Sequence, residues 1–95
     1  MRLPDVMSVV RELREYIASH GIQGVSWMKS LSHISQVLGF TVSPSLSRSL
    51  VVILSRQHKL RVFFDQTLSQ EMPSEGIKSF FSMGGSRSVH VVSAK

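Results

Sequence analysis

The feature that most constrains this chain is a change of period at Lys59. From Ser43 onward, Leu46, Leu50, Ile53, Leu54 and Gln57 recur at helical spacing. After Lys59, Leu60, Val62 and Phe64 alternate with Arg61, Phe63 and Asp65, the two-residue repeat of a strand. A helix that runs straight into a strand implies a mixed α+β domain. With 95 residues there is room for one domain and one modest core, and nothing marks natural ends, so a piece of a larger protein is expected.

The predicted helix, Ser43 to Lys59, begins cleanly. The Ser43 hydroxyl can cap an orphan amide of the first turn, and Pro44 fits the first helical position because its missing N–H is not needed there. Opposite the apolar stripe lie Ser45, Arg48, Ser49, Val52, Ser55, Arg56 and Lys59. At about 100° per residue they fall within roughly a third of the circle. Cations attract phosphates, and short serines let a helix backbone approach a groove wall, so this face suits a nucleic-acid reader. A polar face that is merely solvated is the ordinary alternative. The charge distribution favours the reader. Of the net charge of +5, all lies in residues 16–64, as Lys29, Arg48, Arg56, Lys59 and Arg61, with no acid between them. The flanks are each neutral. A segregated cationic middle suggests an anionic partner.

The remaining elements follow from the same signals. A first helix is predicted over Leu3 to His20, with Asp5 as N-cap, Val6, Val9, Val10, Leu13 and Ile17 as its apolar stripe, and Gly21 as its stop. Ile22 to Val25 reads as a short bridging strand. Ser26 caps a second helix, Trp27 to Leu38, with Lys29, Ser32, His33 and Gln36 outward and Gly39 at its end. Val89, Val91 and Ser93 alternate with His90 and Val92, a strand expected to pair antiparallel with Leu60–Asp65. Between these two strands lies Gln66–Ser88, long for a hairpin loop, in which Gly76 to Met83 fits a strand or a short helix equally.

The order helix, short strand, helix, helix, strand, long loop, strand resembles a winged-helix domain over nearly the whole chain. That resemblance makes Ser43–Lys59 the recognition helix and Gln66–Ser88 an unusually long wing. More particularly, the run Ser55-Arg56-Gln57-His58-Lys59-Leu60-Arg61-Val62, followed by a turn containing Thr67 and a closing Val-His-Val-Val strand, is similar to the extended winged helix of the largest, B-block-binding subunit of transcription factor IIIC. The resemblance implies a nuclear module of a transcription assembly. Its partner would be double-stranded DNA, and possible further partners are other subunits of the complex. On that reading Ser45, Arg48, Ser49, Ser55, Arg56 and Lys59 contact DNA from the helix, and Lys78 and Arg87 from the wing. The alternative is a docking surface for a partner protein, made by Val52, Phe63, Phe80 and Phe81. Phe63 falls on the strand face opposite Leu60 and Val62. It is either exposed or covered by the long segment, which would explain Ile77, Phe80 and Phe81 there.

Catalytic patterns are missing from the sequence. No cysteine is present, and His20, His33, His58 and His90 lack a partner at ligand spacing, so no metal site or cofactor is expected. No Gly-x-Ser-x-Gly occurs, and Gly84-Gly85-Ser86-Arg87 lacks the ending of a phosphate loop and reads as a turn. No apolar run is long enough to span a membrane. The expectation is a soluble, intracellular, non-catalytic binding module with no small-molecule substrate.

Overall fold

The computed structural model describes residues 5–94, and the predicted apolar stripes are buried in part: Val6, placed on the first stripe, is 54% exposed at the start of its helix. The first helix, α1, is Val6–Ser19 and buries Val9, Val10, Leu13 and Ile17. Asp5 stands at its N-cap, but through its carbonyl, which accepts from the Ser8 and Val9 amides at 3.0 and 3.1 Å, while its side chain makes no capping bond. Leu3 and Pro4, the expected start, lie outside the described residues. The short bridging strand expected over Ile22–Val25 forms, but it is shifted toward the second helix and shares only Val25 with the expected span. Gly21–Gln23 is a 3-10 turn, and the strand β1 is Val25–Ser26 alone. Gly24 is the reason: its φ of 67° interrupts extended backbone, and a Cβ there would press into the Val91 carbonyl.

The second helix, α2, runs over Trp27–Leu38 as its caps predicted. The Ser26 hydroxyl accepts from the Lys29 amide at 3.0 Å, and left-handed Gly39 closes the other end. The third, α3, is Pro44–Arg56, with the Ser43 hydroxyl accepting from the Leu46 amide at 3.1 Å. It stops before Lys59 because His58 takes a left-handed turn (φ 56°) and the Lys59 amide bonds back to the Leu54 carbonyl at 2.9 Å.

The core face of α3 is rotated from the predicted one. Ser47, Leu50, Val51, Leu54 and Ser55 are buried, while Leu46 and Ile53 are only half-buried. Two serines can turn inward because each hydroxyl finds a partner. Ser47 Oγ accepts from the Trp27 indole N–H at 2.8 Å, and Ser55 Oγ donates to the Val52 carbonyl at 3.1 Å.

Strands β2 (Leu60–Phe63) and β3 (His90–Ser93) pair antiparallel, with Val62 opposite Val91, and β1 adds to the other side of β3. The long segment after β2 is not a hairpin wing. Gln70–Met72 first lies along the outer edge of β2. The Phe64 amide donates to the Gln70 carbonyl at 3.1 Å and the Met72 amide to the Val62 carbonyl at 2.7 Å, which covers an edge that would otherwise be unpaired. The chain then forms α4, Ser74–Ser82, and a 3-10 turn over Gly85–Ser88. Ile77 and Phe81, one helical turn apart, are buried, and α4 packs on α3. Among the described residues the fold is therefore α+β, with four α-helices and one three-stranded antiparallel sheet.

The inward rotation of α3 can be checked at Ser47. Ser47→Ala leaves the buried indole N–H of Trp27 unpaired and should cost about 1–3 kcal/mol. The expected result is a lower urea midpoint at unchanged m; an unchanged midpoint would contradict the buried pairing.

Candidate nucleic-acid interface

The outward ridge of α3 carries Ser45, Ser49 and Arg56, all exposed. Arg48 and Val52 lie half-buried on the flank that meets α4. Arg48 Nη1 donates to Ser82 Oγ at 3.2 Å, and Ser82 Oγ donates to the Lys78 carbonyl at 2.8 Å, so the guanidinium is tethered to α4. Two shallow clefts adjoin along this seam. Arg48, Ser49, Val52, Ile53, Arg56 and Lys78 line one of about 310 Å³. Val52, Arg56, Ser74, Glu75, Lys78 and Ser79 line the other, of about 360 Å³. Arg48, Arg56 and Lys78 thus converge round Val52, with Glu75 as the one acid.

Among the described residues none of these cations is in an ion pair. Among the described residues the pairs are His33–Glu12 and Arg61–Glu71, each at 2.8 Å. The first was not legible in the sequence. His33, expected to point outward, instead meets Glu12 between α1 and α2, where its ring stacks on Tyr16 at 3.9 Å.

Other sequence-predicted residues sit elsewhere. Ser55 is buried and offers nothing to a partner. Lys59 is carried round the end of α3 to a pocket beside α1, with Arg11, Arg14 and Ser93. Arg87, in the 3-10 turn before β3, lines a separate pocket with Asp65, Ser88 and His90.

The protein-docking residues are mostly withdrawn. Phe63 is only 6% exposed, its ring covered by the Arg61 guanidinium at 5.2 Å. Glu71 holds that guanidinium by bonds of 2.8 and 3.2 Å. The long segment does run beside Phe63, with Glu71 paired to it, while Ile77 and Phe81 join the core and Phe80 packs edge-on against Phe64 at 5.4 Å. Val52 and part of Phe80 remain accessible.

Ser88 Oγ donates to the Phe64 carbonyl at 2.9 Å, and His90 Nε2 lies 3.1 Å from the Gln23 carbonyl, so this neighbouring serine and histidine are not engaged with each other. Among the described residues no three potential metal ligands of the His, Asp or Glu type cluster, and no helix is long and apolar enough to cross a membrane. Comparison with family models, with characterised proteins and with solved structures finds no match to this chain.

Two carboxyls are held below their ordinary range. Bonds from Arg61 lower Glu71, and bonds from the Thr67 side chain and amide lower Asp65. A depressed folded-state value means that the contribution is present above the unfolded value and is lost as pH falls through the folded one. The wild type should therefore lose thermal stability between about pH 5 and pH 3, and Glu71→Gln should lose less over that window. Identical slopes for the two proteins would contradict a stabilising Arg61–Glu71 pair.

Proposed function

We propose that this chain is a non-catalytic, winged-helix-like module that contacts double-stranded DNA along the seam between α3 and α4. The observation that carries the reading is the convergence of Arg48, Arg56 and Lys78, from two helices and without ion-pair partners among the described residues, on one shallow surface. Three cations gathered beside a single acid, Glu75, are stabilised by an anionic partner, and the exposed hydroxyls of Ser45, Ser49 and Ser79 can donate to phosphate oxygens.

The placement of α4 refines the mode. Two packed helices lie about 8–10 Å apart between axes, and each is about 10–12 Å across, while the major groove is about 12 Å wide. The pair is too broad to sink into the groove together. The Ser45–Ser49–Arg56 ridge would approach the groove edge, while the seam beside α4 takes the phosphate strand. Such contact is led by the backbone and tolerant of sequence. On the resemblance drawn from the sequence, the setting would be a nuclear, transcription factor IIIC-like assembly.

Replacing both Arg48 and Arg56 by Ala should weaken binding to a short mixed-sequence duplex. Each lost phosphate contact reduces the magnitude of the log K against log salt slope by about 0.9, so the double variant should be shallower by about 2. Fluorescence anisotropy over a salt series measures this. A folded double variant with wild-type affinity and slope would remove the reading.

A further inference from the structure

We propose that Arg11 and Arg14 of α1, with Lys59, form a second phosphate-binding surface, taking the backbone of the same duplex that the α3–α4 seam engages; this rests on the function proposed above. The pocket they line holds about 260 Å³, with Ser93 at its rim and Ile17 and Ala18 among its walls. Arg11 and Arg14 are three residues apart and share the exposed flank of α1 away from α2. Lys59 is fixed opposite them by its backbone. Its amide bonds to the Leu54 carbonyl at 2.9 Å, and its own carbonyl accepts from the Ala94 amide at 3.1 Å.

Three cations therefore meet one acid, Glu15, and among the described residues none of the four is in an ion pair. Bringing like charges from separate segments together is unfavourable unless an anion neutralises them.

The position selects the ligand. Lys59 is bonded into the last turn of α3, within a few residues of Arg56, so the pocket opens where the proposed DNA surface ends. A duplex carries one charge per about 1.7 Å of axis, so one that engages the seam has further phosphates to offer beyond the end of α3. The charge bookkeeping of the sequence hides this, because Arg11 and Arg14 belong to a flank that is neutral in sum.

The test uses the whole 95-residue chain and a short mixed-sequence duplex, read by anisotropy over a salt series. Arg11→Gln/Arg14→Gln should bind more weakly and with a slope shallower by about 2, and Lys59→Gln with one shallower by about 1. Thermal midpoints are measured alongside, and the exposed arginines should leave them unchanged. Wild-type slopes in both variants, with the Arg48/Arg56 variant still impaired, would overturn this proposal and leave the first intact. Capture of a glutamate-rich peptide by the pocket, with duplex slopes unchanged, would overturn it in favour of a protein partner. A wild type that binds no duplex at low salt removes both.

Discussion

Trp27 holds the parts together. Its ring is wholly buried, its indole N–H donates to Ser47 of α3, and Phe81 of α4 meets it edge-on at 6.1 Å. Its backbone amide donates to the Val89 carbonyl at 2.9 Å, immediately before β3. One residue at the start of α2 therefore fixes the rotation of α3, the seat of α4 and the entry of the closing strand. The polar end of the indole is the demanding part. A buried N–H needs an acceptor, and that need brings Ser47 inward and carries Arg48, the next residue, to the α4 flank.

The cationic seam follows from that packing. Because α4 is anchored by Ile77 and Phe81, the intervening Lys78 points along its exposed side toward Arg56. Arg48 reaches Ser82 one turn later. The positive charge is thus assembled by apolar anchoring, with few acids near to cancel it. Elsewhere the chain does pair its charges: Glu71 holds Arg61 over Phe63 along the edge of β2, and Glu12 meets His33 between α1 and α2.

Much of the scaffold was legible because its signals are local. Ser26 with Gly39, and Ser43 with Pro44, mark helix ends through caps that depend only on neighbouring residues. What was not legible depends on distant partners. Ser47 and Ser55 are buried polar residues whose hydroxyls are satisfied, and periodicity alone assigns serine to the outside. α4 is nine residues long and its Phe80–Phe81 pair suits a strand as well as a helix, so only packing against α3 and Phe64 decides it. For the site, Arg48 and Arg56 were readable from the stripe, and Lys78 was named but assigned to a wing. Ser55, Lys59 and Arg87 were grouped with them by sequence position, and tertiary structure separates them.

The central claim is that the surface round Val52 is where the chain meets nucleic acid. It is tested most directly by following backbone amide resonances of the full chain while a short duplex is added at low salt. The account predicts shifts at Ser49, Val52, Arg56, Lys78 and Ser79. No shifts, or shifts confined to the apolar groove of Val6, Phe40 and Leu46, would contradict it.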